Sequence, residues 1–324
     1  MGTMTNQRFI AKPDRRQRLG HQYHAEANLL SGVLERPIVQ SILPQAQLSL
    51  LDWRGGHLYQ RAQGFDLEAL VSFKSGYTRV SGYRSEKKQT FVTVATSVIE
   101  GLNVFDVLTA DRVVAQVATS HPMPKDGDLG HVPDVTFLGT QFENLKVTGY
   151  DVKVAINPKI CGERPANDVP YLFNNDFLDE AREQVDEITG FGKVPKELEK
   201  QSAEFLGECS QDIEVIKRLR ERRGEDDEQP HKVNCSLVES VILPKSIPGV
   251  EVVGNVMYVR DFGIVTLGNI SVERRLEDPD PSDPYDKPSL SNYFEIKMFD
   301  LRLGCVGEGR LAAASGSGNG TGRP

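Results

Sequence analysis

The sequence predicts a mainly β protein with an antiparallel sandwich or barrel-like core and a charged α-helical insert. From residue 46 onward, short segments rich in Val, Thr, Phe and Tyr alternate with Gly, Asn and Asp, which is typical of strands and tight turns. These segments follow one another too closely for crossover helices, so we expect the sheets to be antiparallel. Residues 174–224 instead carry apolar side chains at helical spacing, which predicts helices.

The first β region is expected over residues 46–173. Its segment 65–74 alternates apolar and polar positions, and one face is formed by Phe65, Leu67, Ala69, Val71 and Phe73. Such alternation predicts a half-buried strand. Further strands are expected at 77–83, 90–99, 107–119, 132–138, 142–148 and 152–156. Polar or glycine-containing turns separate them, so the region is interpreted as a meander.

The charged insert, residues 174–224, is expected to contain two helices, at 174–190 and 195–223. In the second helix the apolar residues recur at helical spacing, at Phe205, Cys209, Ile213 and Ile216. Pro195 suits a first helical turn and Gly224 suits a stop. Because both segments are rich in Glu, Lys and Arg, we expect them to lie outside the β core and to face a partner.

The second β region, residues 225–314, is expected to complete the same core. Its alternating segments lie at 233–243, 252–258, 263–274, 293–303 and 308–314. Residues 1–45 are interpreted as an N-terminal arm. Residues 315–324 contain almost no apolar side chains, so we expect a disordered tail there.

Composition and charge argue against several classes of partner. The 324-residue chain has a net charge of -8 and a pI of about 5.4, so no overall positive field favours nucleic acid. No apolar run approaches the roughly 20 residues that cross a bilayer, and we expect no membrane contact. No secretory signal is recognisable, so the expected location is cytoplasmic.

One group of polar residues lies close together in the sequence, formed by Glu100, Asn103, Asp106, Asp111 and Arg112. Carboxylates beside an arginine can bind a ligand or act as acid and base. Turn chemistry also explains Gly, Asn and Asp in such a segment. We favour a turn between strands, with Asp111 and Arg112 paired, and keep the five residues as binding candidates.

Two histidines complete the candidate set. His121 and His131 flank a loop that also contains Asp126 and Asp128. These residue types can bind a metal, but the loop lacks the ligand spacing of a calcium-binding motif. The four cysteines form no C-x-x-C pair, which argues against a zinc knuckle. We therefore predict no metal, no cofactor and no catalytic residue.

Several strings resemble a known group. The segment at 100–117, the following segment at 135–149 and the segment at 292–315 resemble uncharacterised bacterial proteins, in the strings EGLNVFDVLTADRVVAQV, VTFLGTQFENLKVTG and NYFEIKMFDLRLGCVGEGRLAAAS. Their strand rhythm is similar to repeats of bacterial surface proteins of the choice-of-anchor type. The resemblance implies no activity, and no catalytic residue can be carried over from it.

The leading functional prediction is a noncatalytic β-rich binding or structural protein that binds a protein partner or associates with itself. The sequence contains no P-loop, no G-x-S-x-G and no strand-linked G-x-G-x-x-G, which argues against the common enzyme classes. Two alternatives stay open. One is a carrier whose sheet closes around a small hydrophobic ligand. The other is a hydrolase or isomerase that uses the Glu100 to Arg112 cluster and a loop histidine.

Overall fold

The fold is built from long antiparallel strands. The computed structural model describes residues 21–123, 132–157, 160–161, 164–165, 169–221, 231–277, 289–304 and 308–322. The strands are β1 (His21–Arg36), β2 (Gln40–Ile42), β3 (Leu48–Asp52), β4 (Gly56–Ala62), β5 (Phe65–Leu67), β6 (Val71–Phe73), β7 (Ser75–Ser85), β8 (Thr90–Val104), β9 (Leu108–Pro122), β10 (Asp134–Thr136), β11 (Gln141–Glu143), β12 (Lys146–Val147), β13 (Tyr150–Asp151), β14 (Lys153–Ile156), β15 (His231–Ser236), β16 (Val238–Ile242), β17 (Val250–Val253), β18 (Val256–Val259), β19 (Gly263–Glu277), β20 (Ser289–Leu303) and β21 (Glu308–Gly322).

Two α-helices separate the two groups of strands. They are α1 (Asn175–Thr189) and α2 (Glu199–Glu221), and short 3-10 helices at Tyr171–Phe173 and Lys196–Leu198 precede them. The side chain of Asn174 caps α1, since its oxygen accepts a hydrogen bond from the Phe177 amide at 3.0 Å. This contact satisfies one of the free amides in the first helical turn.

Most strands belong to two antiparallel sheets. Sheet A has the order β17-β18-β19-β20-β21-β1-β2, with β15 also paired to β19 and β3 also paired to β1. Sheet B has the order β13-β12-β9-β8-β6-β5, with β10 and β11 paired to β9 and with β7 between β8 and β4. A separate two-stranded sheet joins β14 to β16.

Sheets A and B pack face to face and neither closes into a barrel. One cluster of buried side chains includes Leu30 and Phe294 from sheet A together with Ile99 and Val113 from sheet B. The predicted fold class, a mainly β antiparallel fold with a helical insert, is therefore confirmed, and a sandwich is the form that the sheets take.

Small side chains let the sheets approach each other. A Cβ atom at Gly82 of β7 would lie 2.6 Å from the ring of Tyr23 on β1, which is too close for any side chain. Between the same layers, the Ser97 hydroxyl of β8 lies 2.8 Å from the Asn28 carbonyl and 2.7 Å from the Ser315 carbonyl. A buried carbonyl needs such a donor, so Ser97 connects the two sheets.

The helices form a third layer on the outer face of sheet A. The buried residues of α1 follow helical spacing and are Phe177, Leu178, Ala181, Val185 and Ile188. In α2, Phe205, Cys209 and Ile216 are buried, as their spacing predicted. The helices therefore lie outside the two sheets, but their apolar faces are buried against them, and this burial supplies much of their stability.

Both ends of the described chain differ from their predictions. The arm predicted for residues 1–45 contains β1, a central strand of sheet A, and residues 315–322 of the predicted disordered tail belong to β21. Strand β21 lies between β1 and β20 and is hydrogen-bonded on both sides. Pairing on two edges replaces the side-chain burial that its Gly-Ser sequence lacks.

Candidate functional site

A polar cavity lies between the helices and sheet A. Its volume is about 250 Å³, and α1, α2, β15, β19 and β20 contribute to its walls. Liquid water occupies about 30 Å³ per molecule, so the cavity has room for about eight waters or for one small molecule. This cavity is the candidate functional site.

Strand alternation supplies the polar wall of the cavity. On β19, Ile270 and Val272 point into the sandwich, so Asn269 and Ser271 point toward the helices. On β20 the outward position opposite Asn269 is Lys297. Successive side chains of a strand point to opposite faces, and sheet A therefore presents amides, hydroxyls and an ammonium to the helical layer.

Asp212 of α2 is the central acid of the site. Asn234 of β15 donates from Nδ2 to both Asp212 carboxylate oxygens, at 3.1 and 3.2 Å. The Ser271 hydroxyl in turn donates to Asn234 Oδ1 at 2.6 Å. No cationic group of the described residues lies within ion-pair distance of this carboxylate, and the donors to it among these residues are the amide protons of Asn234.

The environment of Asp212 favours its neutral form. Burial raises the pKa of the Asp212 carboxyl to about 6, although the hydrogen bond from Asn234 and the charge of Lys232 oppose the rise. A carboxylate removed from water is costly unless a cation compensates it. Asp212 is thus an acid held in the cavity at a cost to stability, which is a common property of functional sites.

Glu208 lies one helical turn before Asp212 and has the opposite environment. Arg302 of β20 binds both Glu208 oxygens, through Nη1 at 3.0 Å and through Nη2, and Arg310 of β21 binds one of them at 3.1 Å. The Arg302 guanidinium also lies 5.0 Å from the centre of the Phe205 ring. The hydrogen bond from Arg302 lowers the pKa of the Glu208 carboxyl, against the effect of burial.

The charges around the cavity are mixed. Four basic and three acidic residues line it, and they are Lys232, Lys297, Arg302, Arg310, Glu208, Asp212 and Asp300. An apolar wall is formed by Val185, Ile188, Phe205 and Cys209. The site can therefore offer hydrogen bonds, both signs of charge and an apolar surface to one small ligand. In the described parts of the chain, no three His, Cys, Asp or Glu residues are grouped to hold a metal ion.

The residues predicted from sequence lie elsewhere, on the β8–β9 hairpin. Glu100 accepts a hydrogen bond from the Ser75 hydroxyl at 2.5 Å and faces Arg112 across the two strands. At the turn, Asn103 Nδ2 donates to Asp106 Oδ1 at 2.6 Å, and the Asp106 amide donates back to Asn103 Oδ1 at 2.9 Å. The structure thus brings these four residues together in two pairs.

Asp111 and Arg112 do not bind each other. Asn144 donates to Asp111 at 2.7 Å, and Arg112 donates to Glu143 of β11 at 3.2 Å. The expected pair is wrong because neighbouring residues of a strand point to opposite faces. Each residue instead attaches the hairpin to the segment that packs beside β9.

The two histidines do not join this group. His121 is buried near the far end of β9, with its ring centre 4.7 Å from that of His21. Nine residues of strand separate it from Arg112, a distance of about 30 Å. The convergence that the hydrolase or isomerase alternative requires is therefore absent for His121. His131 lies outside the described residues.

The cavity residues were missed because they come from distant parts of the sequence. One local signal was present: Glu208 and Asp212 lie four residues apart, beside Phe205 and Cys209 on the apolar face of α2. A carboxylate on the buried side of a helix needs a partner or a ligand. That signal identifies the helix face, but it does not identify the strands opposite.

The fold and the cavity define a class: a two-sheet antiparallel β sandwich with a helical layer and a polar site between the helices and one sheet. The chain belongs to the family described as a domain of unknown function, DUF8256, whose model matches residues 21–273. No curated protein and no solved structure matches the chain. Among the described residues, no helix is long and apolar enough to cross a membrane.

Proposed function

We propose that this protein is a noncatalytic binding protein that takes a small polar ligand into the cavity between its helices and sheet A. The observation that carries the proposal is the partly buried network in which Ser271 donates to Asn234 and Asn234 donates to Asp212. Networks of buried polar groups are costly when they are not fully satisfied. A ligand that adds donors to Asp212 satisfies this one.

The lining favours a polar ligand over the hydrophobic ligand of the carrier alternative. A second cavity, of about 180 Å³, is more apolar and lies near the turn of the β8–β9 hairpin, where it is lined by Phe105, Val107, Thr148, Arg260, Asp261, Phe262 and Leu303. It is smaller than the first cavity and brings together fewer polar side chains that could orient a ligand. The polar cavity is therefore the better candidate for a ligand site.

A thermal-shift screen with a library of small polar metabolites tests the proposal. The wild type is compared with Ser271→Leu, which fills the cavity, and with Ser72→Leu, a matched change on an outward position of β6 in sheet B. A ligand present at a hundred times its Kd stabilises the folded state by about 2.7 kcal/mol. We expect at least one compound to raise the Tm of the wild type and of Ser72→Leu only. A library in which no compound distinguishes the two variants would contradict the proposal.

Self-association is a second candidate, and the exposed strand β4 favours it. Among the described residues β4 pairs only with β7, and its Leu58 and Tyr59 side chains are 38% and 56% exposed. An open edge with apolar side chains is a template for pairing with another chain. Sedimentation velocity checks this: Tyr59→Lys should convert an associated form to monomer, and a wild type that is already monomeric at high concentration contradicts it.

A further inference from the structure

The chemical class of the ligand follows from two charged groups that both line the cavity, Asp212 and Lys297. Asp212 has no cationic partner within ion-pair distance among the described residues, as described above. Lys297 forms one long ion pair, with its Nζ atom 3.6 Å from Glu295 of the same strand. Each of these groups can gain a closer partner of opposite charge from a ligand.

The sheet register sets the distance between Lys297 and Asn234, the residue that binds Asp212. Asn234, which holds Asp212, lies opposite Ser271 on β19, and Ser271 lies opposite Glu295 on β20. Lys297 follows two residues later. Two strand spacings and two residues correspond to about 12 Å between the Cα atoms of Asn234 and Lys297. The side chains extend toward the helices from both positions, which leaves space for a small molecule between them.

The remaining charges do not compete for this ligand. Glu208 is already bound by Arg302 and Arg310, and the charge of Asp300 also acts on Arg302, so these four residues together carry no net charge. Lys232 is exposed at the rim. The cavity therefore keeps one acid and two lysines outside this group, and a ligand with a single charge satisfies only one of these two features.

We propose that the cavity binds a small zwitterion of the amino-acid type, with its protonated amine against Asp212 and its carboxylate against Lys297. This inference rests on the proposed function and specifies its ligand. The apolar wall formed by Val185, Ile188 and Phe205 receives the side chain of the ligand. The Asn234 and Ser271 network holds the acid in position for the amine.

Isothermal titration calorimetry of the full chain with each standard amino acid, at neutral pH, tests the proposal. For each amino acid that binds, the matched carboxylic acid without the amine and the matched amine without the carboxylate are titrated too. We expect both single-charge analogues to bind about ten- to a hundredfold more weakly, because each loses one charge-assisted hydrogen bond.

Two variants test which residue binds the amine of the ligand and which residue binds its carboxylate. Asp212→Asn should bind the amino acid no more tightly than the matched carboxylic acid. Lys297→Gln should bind the amino acid no more tightly than the matched amine. The control is Glu214→Gln, which removes one negative charge from the exposed face of the same helix and should leave the affinity unchanged.

The outcomes separate this inference from the proposed function. If no standard amino acid binds, or if a single-charge analogue binds as tightly as its amino acid, the zwitterion is wrong. Neutral metabolites that stabilise the wild type but not Ser271→Leu would then still support a ligand cavity. If the metabolite screen also finds no compound that depends on Ser271, the proposed function fails as well.

Discussion

Asp212 and Glu208 lie one turn apart on the same face of α2, and the pKa values of their carboxyl groups shift in opposite directions. Two arginines compensate Glu208, while Asp212 is bound only by an amide. The two carboxylates therefore differ within one helix: Glu208 attaches α2 to sheet A, whereas Asp212 is the acid to which we assign the proposed ligand. The first two predictions follow from this difference.

Asp212→Asn should stabilise the ligand-free protein at neutral pH. The folded-state pKa of about 6 lies above the ordinary value of 3.8, so the folded state holds more protons than the unfolded state between these values. Wild-type stability therefore falls as the pH rises from about 4 to about 6. Such a shift corresponds to about 3 kcal/mol for a fully buried group, and the partial exposure of Asp212 reduces it to about 2 kcal/mol.

Urea denaturation at pH 4 and at neutral pH measures this difference. Asp212→Asn should exceed the wild type in unfolding free energy at neutral pH and should match it at pH 4. Glu214→Gln serves as the charge control and should be neutral at both values. Destabilisation by Asp212→Asn at neutral pH would show that the carboxylate is fully compensated in the folded state.

Glu208→Gln should destabilise the protein by about 2–3 kcal/mol, because it leaves the guanidinium of Arg302 buried without its carboxylate. The Arg302 side chain is only 14% exposed, whereas that of Arg310 is 64% exposed. Arg310→Gln should therefore cost less than about 1 kcal/mol. Chemical denaturation of both variants checks the order, and equal losses would contradict it.

His21 should make the protein sensitive to acid. Burial lowers the pKa of the His21 imidazole to about 4 from 6.5, so the unfolded state binds more protons between these values. Stability is then complete above pH 6.5 and falls as the pH drops toward 4, by about 3 kcal/mol for a shift of this size.

The variant His21→Phe removes this titration while it preserves a flat ring against Phe91, on which His21 stacks at 4.9 Å between ring centres. Thermal melts from pH 8 to pH 4 should show a smaller loss of Tm for His21→Phe than for the wild type. If the Tm of both proteins falls equally with pH, groups other than His21 cause the acid sensitivity.

Gly316 tests the strand that was predicted to be a disordered tail. A Cβ atom at this position of β21 would lie 3.4 Å from the Cβ of Ala95 in the other sheet. Gly316→Leu should overpack the contact and cost about 1–3 kcal/mol. Gly192→Leu is the matched control, since nothing lies within 4 Å of its added Cβ atom. Equal denaturation midpoints for the two variants would mean that this part of β21 does not pack against sheet B.

Local patterns were enough to predict much of the fold. The apolar spacing of Phe205, Cys209 and Ile216 located α2, and apolar spacing over 174–190 located α1. The first half of β21 was predicted at 308–314, but its second half, residues 315–322, was missed. Propensity reflects what each side chain prefers alone, whereas hydrogen bonds from two neighbouring strands hold this segment in the sheet.

The candidate site could not be predicted in the same way. Asp212, Asn234 and Lys297 come from a helix and two strands that are distant in sequence, and each has an ordinary local context as a charged or polar surface residue. Only the tertiary packing of α2 on sheet A makes one of them, Asp212, a partly buried acid. The sequence instead made Asn103 and Asp106 binding candidates, because turns concentrate polar residues over a short stretch of chain.

The pairing of β1 with β21 has a consequence for biosynthesis. His21 lies opposite Gly322 in the register of these strands, so the centre of sheet A joins an early and a late part of the chain. During synthesis β1 emerges from the ribosome long before its partner, while a hairpin such as β8–β9 can form at once. Until translation reaches β21, one edge of β1 lacks the strand that pairs with it. During that interval the nascent chain is open to aggregation and to chaperone binding.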